Sequence, residues 1–274
     1  MKNAQIFITK DGSQGLYNPE LDEIYHSREG AQKESIEKFI IPSDFEKRTK
    51  ESDSIRVLDI CYGIGYNSKN ALAFYKNCNI TIDALEIDKE LVDYSPRADF
   101  FMPEINDFIA GKKELTGAKI NFYIDDARKV IKTLNYKYDV IFLDAFAPNK
   151  LPTLWSVEFF KQIRRVIKET GVLVTYCSAQ PVRKAMDISG FKLGKAEDEK
   201  GHSFATVAAL DEAFIKTPLD DYELGLLNTK AAIPYRDKDL NASAGEMFKT
   251  REKEVRNSAL EGASAYIRRM KGKP

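Results

Sequence analysis

Cysteine is scarce in this 274-residue chain: Cys61, Cys78 and Cys177 stand far apart, odd in number and without a Cys-x-x-Cys pair. That excludes a disulfide framework, a zinc ribbon and a dithiol redox centre, and three free thiols fit a reducing cytoplasm. Histidine is scarcer still, with His26 and His202 alone, and no cluster of ligands suggests a metal. No apolar run approaches the roughly 20 residues that span a bilayer, and the opening MKNAQIFITKDG lacks the apolar core of a signal peptide. A soluble, cytoplasmic protein is expected. Net charge is absent too: 42 Lys and Arg balance 42 Asp and Glu, so no overall basic character advertises a nucleic acid. The balance hides an asymmetry. Residues 230–274 carry 11 basic and 6 acidic side chains, a net of +5, which leaves 31 against 36, or −5, for residues 1–229.

What is present is alternation. A 43% hydrophobic content can fill a core. AQIFIT and GLYNP flank the turn signal KDGSQG and predict a hairpin, followed by a helix from about Gly30 to Ile41. The polar stretch PSDFEKRTKESDS separates this cap from IRVLDICY, ITIDALEID, AKINFYID, YDVIFLDAF and GVLVTYCS, five apolar strands with amphipathic segments between them. One of these, WSVEFFKQIRRVIKETG, reads as a helix closed by its glycine. FKLGKAED and SFATVAAL add a hairpin. Buried strands alternating with helices predict an α/β, Rossmann-like fold: a mostly parallel seven-stranded sheet with an antiparallel last strand. The expected organisation is a hairpin-helix cap over 1–50, a catalytic domain over 51–216 and a basic helical extension over 217–274. The extension holds a helix from about Ser243, with Glu246 completing a capping box.

Ligands of such sheets bind beyond the carboxyl ends of the strands. Four of the five ends here carry carboxylates. The first reads LDICYGIGYN, Leu58 to Asn67: an acid, Asp59, followed by Gly63-x-Gly65 and a helix, with Cys61 where a first glycine would suit. It lacks the GxGxxG of dinucleotide sites and matches the acid-x-Gly-x-Gly-x-Gly form of S-adenosylmethionine enzymes; a plain turn explains the loop about as well. A φ below zero is expected at Cys61, with any left-handed conformation left to Gly63 or Gly65. Glu86, about 20 residues on, suits ribose hydroxyls. Asp126-Ala127 suits an adenine amino group or, equally, a helix N-cap. The stretch FLDAFAPNKLPTLW ends a strand in Asp144 and follows it with Phe146, Pro148 and Trp155. A carboxylate at the rim of an aromatic pocket is what an amine acceptor needs. His26 beside Tyr25 reads as site-lining. In the extension, Arg236, Arg251, Lys253, Arg256, Arg268, Arg269, Lys271 and Lys273 form either a phosphate-binding face or a solvated charged one laced with Glu252 and Glu254.

Five stretches together, LYNPELDEIYHSREGAQKE, DICYGIGYN, LDAFAPNKLPTLW, TYCSAQPVRKAMDISGF and IPYRDKDLNAS, resemble the methyltransferase of the tRNA 5-methylaminomethyl-2-thiouridine family, in particular its stand-alone form without the flavin-dependent oxidoreductase domain. The resemblance covers nearly the whole chain. It implies methylation, with S-adenosyl-L-methionine, of the primary amine of a 5-aminomethyl group on the wobble uridine of tRNA, near the anticodon. The aminomethyl substrate would come from other wobble-uridine modification enzymes acting earlier. It also implies Asp59, Tyr62, Gly63, Gly65, Asn67, Glu86, Asp126 and Ala127 as cofactor positions, Asp144 between methyl donor and amine, Tyr25, His26, Phe146, Pro148 and Trp155 as substrate lining, and Arg236, Arg251, Lys253, Arg256, Arg268 and Arg269 as RNA contacts. Two rivals stay open: an aminopropyltransferase akin to polyamine synthases, and a tRNA-binding protein without catalysis.

Overall fold

The computed structural model describes residues 4–20, 22–75, 78–98, 101–197, 201 and 203–272. Its N-terminal segment pairs β1 (Gln5–Ile8), β2 (Gln14–Asn18) and β3 (Glu23–Ile24) as a small antiparallel sheet. A helix follows as expected, but its second half is wound differently: α1 (Ala31–Ser35) continues into a π-helical turn over Ile36–Ile40. The polar stretch beyond is not merely a linker. Phe45, fully buried, starts α2 (Phe45–Lys50) and packs with Phe39 against Phe142 of the central sheet.

The alternation then runs β4 (Ser54–Ile60), α3 (Tyr66–Phe74), β5 (Asn79–Glu86), α4 (Lys89–Ala98), α5 (Pro103–Ile109), β6 (Ala118–Ile124), α6 (Ala127–Thr133) and β7 (Tyr138–Leu143). It continues as α7 (Val157–Val166), β8 (Ile167–Thr175), α8 (Gln180–Ile188), β9 (Lys192–Glu197) and β10 (Ser203–Ala209). Seven strands form one sheet in the order β6-β5-β4-β7-β8-β10-β9. β4 to β8 run parallel, and β10 inserts antiparallel between β8 and β9.

The continuous apolar runs arise because both faces of the sheet are covered. Along β4, Val57 enters the layer with Phe39, Phe45 and Leu72, whereas Leu58 and Ile60 enter the opposite one with Ile131, Trp155 and Phe160. One expected helix is too long. α7 stops at Val166 and the chain turns straight into β8 at Ile167, so Gly171 sits inside a strand instead of closing a helix. A Cβ on Gly171 would lie 2.7 Å from the Tyr138 carbonyl, at the irregularity where β7 and β8 shift register.

The extension folds as α9 (Asp221–Leu226), α10 (Ala244–Asn257) and α11 (Ala263–Lys271). The capping box at Ser243 and Glu246 is formed, with Ser243 Oγ accepting from the Glu246 amide at 3.3 Å and Glu246 Oε2 accepting from the Ser243 amide at 2.8 Å. The extension is docked on the sheet domain: Tyr235 bridges to Ser156 and its ring stacks edge-on with Phe248. No helix among the described residues is long and apolar enough to cross a membrane.

Candidate active site

Strand order reverses at the β4–β7 pair, and the carboxyl ends of these strands open into a cleft of about 890 Å³. The cap roofs it: Tyr25 stands edge-on to Phe146 with ring centroids 4.9 Å apart, and both side chains line the cleft.

The floor is the glycine loop. Cys61 and Tyr62 both donate their amides to the Leu85 carbonyl, at 3.0 and 2.9 Å, which bends the chain sharply after β4. The bend requires a left-handed residue at its first position. Cys61 has φ 69°, so the expectation of ordinary dihedrals there fails, and Gly63 and Gly65 follow at 58° and 88°. A cysteine in this region costs about 1–2 kcal/mol, which is why glycine suits the place. Burial and the neighbouring Glu86 and Asp144 push its thiol well up, so it forms a neutral wall of the cleft. Gly65 is needed on different grounds: a Cβ would meet Tyr62 Oη at 2.3 Å.

Several expected cofactor positions support the loop and do not face the main cleft. Asp59 is fully buried and accepts from Ser68 Oγ at 2.5 Å, bracing the first turn of α3; burial pushes it up to about 7. Tyr62 turns inward, its hydroxyl 2.7 Å from Ser95 Oγ and its ring against Phe122. Asn67 donates to Asp144 Oδ2 at 3.0 Å and so orients the acid.

Glu86 ends β5 in the cleft with its carboxylate pinned: Oε2 accepts from Gly63 at 2.8 Å and Oε1 from Ile87 and Asp88 at 2.8 and 3.0 Å. Asp126 and Ala127 line the same end. Asp126 is also the N-cap of α6, accepting from the Arg128 amide at 2.8 Å. The N-cap reading of Asp126 is therefore realised, and the same residue also lines the cleft. Its carboxylate is further gripped by the Arg128 guanidinium, whose Nη2 lies 2.7 Å away, and Nη1 of the same arginine reaches Asp237 of the extension at 2.9 Å.

At the other end stands Asp144. Burial raises it to about 8, nearby Glu34 adds to the rise, and the Asn67 hydrogen bond only partly offsets it. Glu34 and Lys38 come from the junction of α1 with the π-helical turn, paired at 2.6 Å; both line the cleft, and Lys38 lies over the Tyr176 ring at 5.8 Å. Sequence reasoning missed these two because an i,i+4 Glu–Lys pair on a surface helix reads as a solvated face. It missed Arg128 and Asp237 because they are 109 residues apart.

The aromatic expectations divide. Phe146 and Tyr25 line the cleft, as does His26, whose burial lowers it to about 4 and keeps it neutral, with Nδ1 buried and unpartnered. Trp155 and Pro148 do not line it. Trp155 is fully buried and donates Nε1 to the Phe146 carbonyl at 2.8 Å, holding the loop from behind. His202 and Lys273 lie outside the described residues.

The basic positions of the extension differ sharply. Arg251 is spent internally, donating to the Ile233 and Ala231 carbonyls at 2.7 and 3.0 Å and stacking on Tyr235. Arg236, Arg256 and Arg269 pair with Glu158, Glu252 and Glu261. Lys253, Arg268 and Lys271 are exposed and form no ion pair among the described residues.

The charge of the cleft selects among ligands. Four glutamates and four aspartates line it against one lysine and one arginine, each already ion-paired. A pyrophosphate would be repelled, whereas a cationic sulfonium with a ribose diol and a flat base fits the pinned Glu86, the open Gly63 and the exposed Ile87. No cluster of three or more metal-ligating side chains is present among the described residues.

Comparison with known proteins agrees. Residues 96–211 match a family of S-adenosyl-L-methionine-dependent methyltransferases. The chain is 32% identical to an uncharacterized protein of Methanocaldococcus jannaschii over 92% of its own length and 73% of that protein. It is 28% identical to the tRNA 5-methylaminomethyl-2-thiouridine biosynthesis bifunctional protein MnmC of Leptospira interrogans over 64% of its length, spanning only 31% of that protein. Among solved structures, MnmC2 from Aquifex aeolicus superposes with a TM-score of 0.83 at 31% identity, covering 93% of this chain and 86% of the other.

Proposed function

The chain belongs to the MnmC-type S-adenosyl-L-methionine-dependent methyltransferases, and on that premise we propose that it methylates the primary amine of an aminomethyl group on the wobble uridine of tRNA. The observation that carries this reading is Asp144: a carboxylate at the end of β7, oriented by Asn67 and set beside the aromatic pair Tyr25 and Phe146 in an acidic cleft. Such a site binds a cationic acceptor. The bifunctional relatives named for this biosynthesis are more than twice as long, and the match spans 31% of the Leptospira interrogans protein, so the proposal is confined to methyl transfer.

The cofactor, when bound, supplies an electrophilic methyl group. The acceptor amine, near pKa 10.4 by analogy with lysine, arrives protonated and must lose a proton to become nucleophilic. An aspartate at its reference value near 3.9 would take that proton uphill by about 9 kcal/mol; with Asp144 held at about 8 the gap shrinks to roughly 3 kcal/mol. A bound sulfonium lowers Asp144 again, so this gain is an upper bound. Asp144 thus serves first as counter-ion of the ammonium and then as acceptor of its proton. Asn67 holds Oδ2 and leaves Oδ1 to the amine. Tyr25 and Phe146 exclude water from the acceptor end. Neutral His26 contributes shape, not charge.

The deciding experiment is transfer of labelled methyl from S-adenosyl-L-methionine to tRNA bearing 5-aminomethyluridine, digested to nucleosides. Label in the wobble nucleoside with wild type, reduced about 10²-fold in Asp144→Asn, is expected. No label there overturns the substrate, and transfer to a diamine of label placed in the aminopropyl group of a decarboxylated cofactor, with methylthioadenosine as the leaving product, would favour the aminopropyltransferase alternative.

A further inference from the structure

Asp126 is held more tightly than an N-cap requires. Capping α6 needs a single bond, from the Arg128 amide to Oδ1. Here Arg128 adds Nε, 3.2 Å from Oδ1 and 3.1 Å from Oδ2, and Nη2, 2.7 Å from Oδ2, so the carboxylate is fixed against the guanidinium plane. The guanidinium is itself fixed from behind, where Nη1 donates to Asp237 Oδ2 at 2.9 Å and to the Ala242 carbonyl at 2.8 Å.

Asp237 is 1% exposed and equally constrained. Its Oδ1 accepts from the amides of Asn241 and Ala242 at 2.9 and 3.0 Å, and its own amide donates to Glu158 Oε2 at 2.8 Å. The segment 237–242 therefore wraps the N-terminus of α6, and Lys132 adds a bond to the Asp239 carbonyl at 3.0 Å. A half-buried arginine forked between two aspartates gives up part of its hydration and orients both partners. Fastening the extension to α6 accounts for the bonds of Nη1 to Asp237 and Ala242, but not for the additional grip of Nε and Nη2 on Asp126 at the rim of the cleft.

We propose that Arg128 and Asp237 are positioning residues that aim the Asp126 carboxylate at the base of the cofactor, which makes the C-terminal extension part of the cofactor site. A carboxylate held in one orientation, with its anionic charge maintained by the arginine, is a directional acceptor for an exocyclic amino group and rejects a carbonyl at the same place. The inference is independent of the methyl acceptor and rests on the base lying beside Asp126.

The test is calorimetric titration with two ligands, S-adenosylhomocysteine and S-inosylhomocysteine, which differ by an amino group against an oxygen at one ring position. Wild type is expected to prefer the adenosyl ligand by about tenfold or more. Asp237→Asn keeps the acceptor for Asn241 and Ala242 but removes the charge facing Arg128. It is expected to weaken adenosyl binding by about tenfold and leave inosyl binding unchanged, collapsing the preference. Arg128→Lys keeps the charge and loses the fork, and is expected to do the same should Asp237→Asn fold poorly. Equal weakening for both ligands would mean a brace without positioning and overturns the inference, as does a preference retained in both variants. No preference in wild type would overturn the placement of the base as well.

Discussion

Binding of a cationic cofactor to this cleft should be coupled to the ionisation of Asp144. In the ligand-free protein burial holds this acid at about 8, so at pH 6 only about one molecule in a hundred carries the charge that attracts a sulfonium. If the cation requires the ionised form, its affinity rises tenfold per pH unit below about 8, a ceiling of roughly 100-fold, or about 2.7 kcal/mol, between pH 6 and pH 8. The sign is fixed by the direction of the shift: a raised acid keeps its proton through neutrality, and lowering pH makes ionisation dearer. S-adenosylhomocysteine lacks the sulfonium charge and should show little of this dependence. The assay is parallel titration of S-adenosyl-L-methionine and S-adenosylhomocysteine from pH 5.5 to 8.5, read as the ratio of their affinities. Asp59, at about 7, titrates in the same window but faces Ser68 and not the cleft, so Asp144→Asn should flatten the ratio by itself. Glu34→Gln should move the break to lower pH, because Glu34 helps to raise Asp144. A ratio independent of pH in wild type, or one that survives in Asp144→Asn, refutes the assignment of Asp144 to the charge of the site.

Other consequences follow from the same geometry. Cys61→Val places a β-branched side chain at φ 69° and should lower unfolding free energy by about 1–3 kcal/mol in denaturant titration, whereas Cys61→Gly should be tolerated. Trp155→Phe removes the bond to the Phe146 carbonyl while keeping most of the buried ring; transfer should fall several-fold with S-adenosylhomocysteine affinity unchanged, since the tryptophan braces the acceptor loop and not the cofactor end. Arg251→Ala should act on the melting temperature, whereas the paired replacement of Lys253 and Arg268 should spare stability and reduce the salt dependence of RNA affinity by about two phosphate contacts. An unchanged salt slope in the double variant would assign those cations to a solvated face.

The parallel sheet was readable because strands buried on both faces leave uninterrupted apolar runs, and the acids at their ends stood out against that background. Three failures have a common physical origin. Ile167 to Gly171 reads as the tail of a helix because Lys168, Glu169 and Thr170 carry no apolar signal, yet Tyr138 pairs with Ile167 and pulls the segment into β8. Phe45 is the single large apolar residue of a polar stretch, and it starts a helix because the core layer around Phe142 has room for its ring. Cys61 was expected at negative φ from its residue type alone, whereas the carbonyl of Leu85, 24 residues away, fixes its conformation by accepting two successive amides. In each case a partner distant in sequence overrides local preference. The site shows the same limit: Asp144, Glu86 and Gly63 are local signals, while the Arg128 clamp and the Glu34–Lys38 pair exist only once the extension and the cap are folded onto the sheet.

Under the proposed function the cleft and the extension divide two electrostatic tasks that conflict in one place. An RNA backbone would be repelled by the acidic lining of the cleft, so a polyanionic substrate would have to be gripped elsewhere. Lys253 and Arg268 of the extension, exposed and without an ion pair among the described residues, would offer that grip, and with screening lengths near 8 Å at physiological salt they would act without neutralising the cleft. Under the proposed function this separation also supplies selectivity. The amino groups of adenine, cytosine and guanine are uncharged at neutral pH, whereas an aliphatic aminomethyl group is a cation, and only the latter gains from entering a desolvated pocket that holds Asp144 beside Glu34. The acidity that makes the cleft a poor place for RNA is then what distinguishes one modified uridine from the many unmodified bases around it.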